Sequence, residues 1–143
     1  MVSLFGGGKT SKNTKLEKEV KKIDEDIKKL FKEFREPADV LYHPDNMKKA
    51  INLIKRILED IEQYKRLLTS YSHNLNNFPE IIQLENSIKN FLKKLEELYT
   101  WIFELHRTTI LDPIIQEIKT ELHKIHDFWN KHKYELHRLG IIK

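Results

Sequence analysis

MKKAINLIKRILEDIEQYKRLLTSYSHNL, residues 47–75, is the stretch from which the fold is read. Met47, Ala50, Ile54, Ile57, Ile61, Tyr64, Leu68, Tyr71 and Leu75 recur at steps alternating three and four. That spacing places them on one face of a helix, and its alternation is the mark of helices packed at shallow angles. Most of the residues between them are Lys, Arg, Glu, Asp, Asn and Gln, which suit a wet face.

Three further segments carry the same rhythm. Upstream, Leu16, Val20, Ile23, Ile27, Leu30 and Phe34 form a shorter seam. Downstream, one seam joins Ile81, Leu84, Ile88, Phe91, Leu95, Leu98, Ile102 and Leu105. The last joins Leu111, Ile115, Ile118, Leu122, Ile125, Trp129, His132, Leu136 and Leu139. Of the 32 seam positions only His132 is not apolar.

The punctuation between seams places the helix ends. Asn13 or Thr14 can cap the first helix, and Pro37 stops it. Asp45 is a natural cap for the second, which Asn76 and Asn77 end. Pro79 opens the third, Asp112-Pro113 opens the fourth, and Gly140 ends it. The expected helices cover about residues 14–36, 46–76, 79–107 and 112–139. Short connections at Asn76–Phe78 and Thr108–Leu111 make neighbours antiparallel. The expectation is an all-α chain, an antiparallel up-down-up-down four-helix bundle with heptad-like seams. Residues 14–143 form its single domain, and residues 1–13 form a flexible Gly/Lys-rich tail.

Composition narrows the function classes. The 143 residues contain no Cys, which excludes a disulfide framework, thiolate zinc sites and cysteine nucleophiles. Four Gly and four Pro are too few for a linker-rich or many-turned β protein. No apolar run approaches the roughly 18 residues of a membrane span, and no secretory signal is expected. Abundant Lys and Ile with only two Ala suit a cytoplasmic protein, and a thermophilic one, although an AT-rich genome gives the same bias. The formal net charge is +4, and all of that excess falls within residues 1–22. The remainder is balanced, which argues against a nucleic-acid partner. The basic tail with its apolar Met1, Val2, Leu4 and Phe5 suits weak contact with a membrane surface through residues 1–22.

Several short motifs have counterparts in known chemistry. Ser3 to Thr10, SLFGGGKT, has the lysine and threonine of a phosphate-binding loop but Ser3 where its first glycine belongs. Only two residues precede it, so it has no strand to launch the loop. Tyr42-His43-Pro44-Asp45-Asn46 resembles the His-Pro-Asp loop of J-domains, and Ile27-Lys28-Lys29 resembles the basic helix before that loop. The resemblance implies that His43, Pro44 and Asp45 contact the ATPase of a chaperone. Pro37 interrupts the helix before the loop is reached, so the preferred reading is a loop stop and a helix cap. Arg66 and His73 have the spacing of HEPN ribonucleases, and that resemblance implies a catalytic pair acting at an RNA phosphate. Leu67 stands where that motif usually has a polar residue.

No metal site or cofactor is expected. His123 and His126 lack a third ligand, and no Glu occupies a seam position as a carboxylate-bridged bundle site requires. The function expected is therefore that of a non-enzymatic protein-interaction or assembly module, with a protein partner or self-association and no small-molecule substrate. Two surfaces are candidates. The first helix is shorter than the others, so the end holding Tyr71, Leu75, Ile81, His132 and Leu136 should be open to a partner helix. Tyr99 and Phe103 lie off the third seam, as does Trp101 on its other flank, and they either form a recognition patch or pack under Val40, Leu41 and Tyr42.

Overall fold

The computed structural model describes residues 2–71 and 73–142, with side chains from Thr14 onward. It is all-helical, with no strand among the described residues. Five α-helices occur in order: α1 (Val2–Glu33), α2 (Pro37–Leu41), α3 (Pro44–Ser70), α4 (Pro79–Tyr99) and α5 (Leu111–Arg138). A 3-10 turn at Leu75–Asn77 precedes α4, and a π turn at Thr100–Glu104 continues it. Helix α1 lies against α3 and α5, α3 against α4, and α4 against α5, while the short α2 rests on α3 and α5.

The seams build the core. Every position of the first seam is buried, as is the second from Met47 to Leu68, the third from Ile81 to Leu95, and the fourth from Ile118 to Leu136. Trp129, Tyr64 and Phe91 are the largest side chains with almost no exposure. The ring of Phe34, just past the end of α1, meets that of Phe91 on α4 with centres 5.3 Å apart.

The seams fail at their ends, for local reasons. Leu105, expected inside, is 52 % exposed, because the backbone changes to π winding at Thr100. Leu139, also expected inside, is 49 % exposed, since it lies just past the last turn of α5. Tyr71 and Leu75 are half-buried because α3 stops at Ser70 instead of near Asn76. Two local bonds turn the chain there: His73 N–H donates to the Leu68 carbonyl at 2.9 Å, and Asn76 N–H to the Asn74 side chain at 2.9 Å.

Other boundaries also shift. Helix α1 begins at Val2 rather than near Thr14 and ends at Glu33 rather than Glu36. A helix held by packed turns extends one hydrogen bond at a time without a new nucleus, which carries it through residues that would not start one. The side chains of the tail, and with them any membrane contact there, lie outside the described residues. The segment after Pro37 is a helical turn, not a loop. Pro37 has the fixed φ of a first helical residue and Asp39 favours the positive helix start. Likewise Pro44 opens α3 with His43 before it, so Asp45 sits inside the first turn instead of capping it.

Gly140 ends α5 as expected, at φ +73°. Its N–H donates to the His137 carbonyl at 3.0 Å, and Ile141 N–H to the Leu136 carbonyl at 2.9 Å. This pair of bonds is the Schellman arrangement. It folds Ile141 and Ile142 back into buried positions.

Polar pairs stitch the long helices at the rim of the core. Arg56 of α3 donates twice to Asp26 of α1, at 3.2 and 3.1 Å. Lys22 pairs with Asp60 at 3.2 Å, Lys65 with Glu85 at 2.9 Å, and Lys55 with Glu96 at 3.6 Å. Asp24 of α1 accepts from Trp129 Nε1 at 2.9 Å and from Lys133 at 2.6 Å on α5. Burial pushes the Asp24 carboxyl up, but the hydrogen bonds from Lys133, Trp129 and Lys28 outweigh it and hold the group down at about 2. Asp60 goes the other way: its burial and the neighbouring Asp26 raise it against the pull of Lys22.

Candidate functional site

The two ends of the molecule differ, and the difference is opposite to the one the sequence suggests. At the end holding Tyr71, Leu75, Ile81, His132 and Leu136, the surface is closed. Ile81, His132 and Leu136 have no exposure, and Tyr71 and Leu75 are half-buried against the core. The His132 ring stacks among Tyr64, Phe78 and Trp129, with centroids 5.4, 5.6 and 6.0 Å away. Its Nε2 shares a hydrogen bond with Tyr64 Oη at 2.5 Å, and its Nδ1 is buried with no partner among the described residues. Phe78 packs on His132, and Ile141 and Ile142, folded back after Gly140, are buried as well. Ile81, His132 and Leu136, expected to be partly open, are thus buried among the described residues, and they do not offer a partner groove. Phe78 lies off the third seam, before Pro79, so heptad periodicity does not mark it as a lid.

The opposite end is where apolar surface faces water. Tyr42 is 63 % exposed, Trp101 41 %, Leu105 52 % and Ile110 78 %. They belong to the chain after α2, the π turn, and the segment joining it to α5. Ile82, Tyr134 and Leu139 are also exposed, but they stand elsewhere on α4 and at the far end of α5.

The π turn sets this end. Leu105 N–H donates to the Thr100 carbonyl at 2.8 Å, five residues back, and Arg107 N–H to the Trp101 carbonyl at 3.0 Å. An added residue in the turn rotates the rest of the helix about its axis, so Ile102 keeps only half its burial and Leu105 turns outward. His106 then takes φ +52°, a left-handed conformation that costs a residue with a Cβ. Both features are concentrated at functional segments in folded proteins.

Polar bonds hold the apolar groups in place. Thr100 Oγ1 donates to Glu104 Oε1 at 2.9 Å, and Trp101 Nε1 donates to the Thr108 carbonyl at 3.3 Å. The Arg107 guanidinium lies 4.9 Å from the Trp101 ring centre. Tyr99 and Phe103 are half-buried, with ring centres 5.4 Å apart, and Lys48 Nζ is 5.6 Å from the Tyr99 ring. The nearby Tyr99 oxygen raises the Lys48 ammonium. Between α2 and this segment is a cleft of about 360 Å³, lined by Leu41, Tyr42, Ile102, Phe103, Arg107 and Leu111 among others. Val40 and Leu41 are buried beneath it, whereas Tyr42 stands off. Phe103 and Tyr42 thus line one side of this end, Trp101 and Leu105 line another, and Tyr42, Trp101, Leu105 and Ile110 are its exposed large apolar residues. Trp101 is legible from its place off the third seam, whereas Leu105 and Ile110 are not, because Leu105 keeps the heptad step and the π turn leaves no mark in the apolar pattern.

Of the other candidates, His43, Pro44 and Asp45 are all exposed at the start of α3, where Asn46 Nδ2 donates to the Asp39 carbonyl at 3.1 Å. Arg66 is exposed on α3, and His73 is half-buried against Phe78, with ring centres 6.2 Å apart. No hydrogen bond, ion pair or ring contact joins Arg66 to His73 among the described residues. His123 and His126 are exposed and lie near Asp127, at 3.3 and 3.9 Å. No group of three His, Asp or Glu side chains among the described residues could hold a metal. No helix among them is long and apolar enough to cross a membrane. No protein-family model, curated protein or solved structure matches the chain.

Proposed function

We propose that this chain is a non-enzymatic interaction module, an up-down-up-down four-helix bundle that presents the π-turn end to a protein partner. The topology is supported by the sequence order of the cross-helix pairs. Along α1 and α3, Lys22 meets Asp60 while Asp26 meets Arg56. Along α3 and α4, Lys65 meets Glu85 while Lys55 meets Glu96. Along α1 and α5, Asp24 meets Lys133 while Phe31 meets His126. Each pair runs in opposite directions, as antiparallel neighbours do.

The observation that carries the function is the gathering of Tyr42, Trp101, Leu105 and Ile110 at one end, beside Arg107 stacked on Trp101. Tyr, Trp and Arg are the residues that dominate binding energy at protein interfaces. Large apolar side chains left in water beside a strained backbone are costly unless something covers them. A cytoplasmic location fits a Cys-free chain of this composition.

The test is the mass of the complex purified from the native cell, compared between the wild type and a Trp101→Ser/Leu105→Ser/Ile110→Ser variant. The wild type is expected to run with a second protein or a second copy, and the variant to run alone. A wild type that runs alone, or a complex that survives the triple substitution, overturns the reading. Co-purifying RNA that is cleaved only while Arg66 and His73 are intact would replace it with the ribonuclease reading. Chaperone ATPase stimulation lost in His43→Gln would replace it with the J-domain reading.

A further inference from the structure

A groove between α1 and α3 gathers four basic side chains. It encloses about 670 Å³, and its walls include Lys29 and Lys32 from α1 and Lys49 and Arg56 from α3. Glu33 is the one carboxylate lining it, and the buried Leu53 forms part of its floor. Several lysines of the long helices are neutralised by a near carboxylate, Lys22 by Asp60, Lys28 by Asp24, Lys65 by Glu85 and Lys94 by Glu117. Lys29, Lys32 and Lys49 have no such ion pair among the described residues. Arg56 is held by Asp26 through Nε and Nη2, which leaves its Nη1 edge free to donate.

Three unpaired ammonium groups and half a guanidinium fork facing one concavity repel each other until an anion enters. We infer that this groove binds a small anion carrying at least two phosphate groups. Charge sets the preference. Lys49 and Arg56 stand seven residues apart, about 10 Å along α3, and their long side chains can reach into the groove from both ends. Several cations converging there favour the higher charge of two linked phosphates over a single one. The charge is also bounded. Beyond Arg56 the groove meets Asp26 and Asp60, and on the α1 side it meets Glu33. A nucleic-acid backbone would need the basic track to continue, and these carboxylates stop it. The site is separate from the π-turn end and does not depend on the partner proposed there.

Inorganic pyrophosphate in metal-free buffer is the probe, followed by calorimetry and by amide chemical shifts of the full chain at constant ionic strength. Saturable binding is expected, with the largest shifts on the facing turns of α1 and α3. Lys29→Ala/Lys49→Ala should weaken it about tenfold or more, since it removes two charge-assisted contacts to the anion. Lys119→Ala/Lys131→Ala removes the same charge from exposed sites on α5 and should leave binding unchanged. Glu33→Gln should tighten it. Equal weakening in both double variants would mean that only net charge is sensed, and would overturn the site. Shifts no larger than those from chloride would overturn it too. So would tighter binding of single-stranded RNA that strengthens with its length, since that requires an extended track.

Discussion

With no exposed surface and a single hydrogen bond, His132 holds its ring neutral well below the usual histidine range. Burial pushes its pKa down to about 4, and Glu135 pulls only weakly the other way. Linkage gives the sign of the stability effect. Between pH 6.5 and 4 the unfolded chain binds a proton at this residue and the folded chain does not. The stabilisation is complete above pH 6.5 and is lost as the pH falls toward 4, by about 3 kcal/mol. Asp24, held at about 2, loses its contribution only below 3.8, so the two windows separate. Urea unfolding across pH 7 to 4.5 should show the loss in the wild type and a flatter profile in His132→Leu. An equal slope in both would place the titration elsewhere. At neutral pH, Tyr64→Phe and His132→Leu should each cost about 1–3 kcal/mol, because each strands the other's polar atom in the core. The double variant should cost clearly less than their sum, since both polar groups then leave together. Additive costs would show that the 2.5 Å contact contributes nothing.

Two element ends store opposite backbone demands, and a single substitution tests each. Gly140 sits at φ +73° with open space where a Cβ would stand. Gly140→Ala should therefore cost about 1 kcal/mol from conformation alone, with no clash. His106, at φ +52°, is the reverse case, and His106→Gly should gain up to about 1 kcal/mol. Both are read as shifts of urea midpoint at constant slope. A stabilising Gly140→Ala would mean that the Schellman turn does not hold Ile141 and Ile142. A destabilising His106→Gly would mean that the His106 side chain contributes more than its strain. These ends also show how far sequence reasoning reaches. Gly140 was legible because few residues other than glycine take that conformation. The middle of each seam was legible because one helical period governs it. The period says nothing of Thr100, where one backbone hydrogen bond skips a residue and re-aims Ile102 and Leu105. Nor does it mark the closed end, where Phe78 and the C-terminal isoleucines arrive from outside any seam. The outward turn of Leu105 was hidden for the first reason, and the burial of His132 for the second.

On the scale of the whole molecule, the same apolar residue types serve two purposes, and only their placement separates them. Ile57 and Leu95 have no exposure and lie mid-helix in α3 and α4. Proline at either removes a backbone hydrogen bond and clashes with the preceding turn, at about 3 kcal/mol or more. Against a total stability of about 5–15 kcal/mol, and with the loss of buried packing added, that should end cooperative melting. Trp101, Leu105 and Ile110 are equally apolar but face water, where substitutions away from special features change stability by about 0.5 kcal/mol or less. Trp101 adds one hydrogen bond and a stacked guanidinium, so its share is the largest of the three. The triple serine variant should therefore keep a cooperative transition within a few degrees of the wild type, while losing its partner. Circular dichroism melts of the wild type, the proline variants and the serine variant decide the matter. Cooperative unfolding of Leu95→Pro would mean that α4 is not part of the common core. Collapse of the serine variant would mean that the π-turn end is structural, and that its apolar side chains are held in place for the fold and not for a partner.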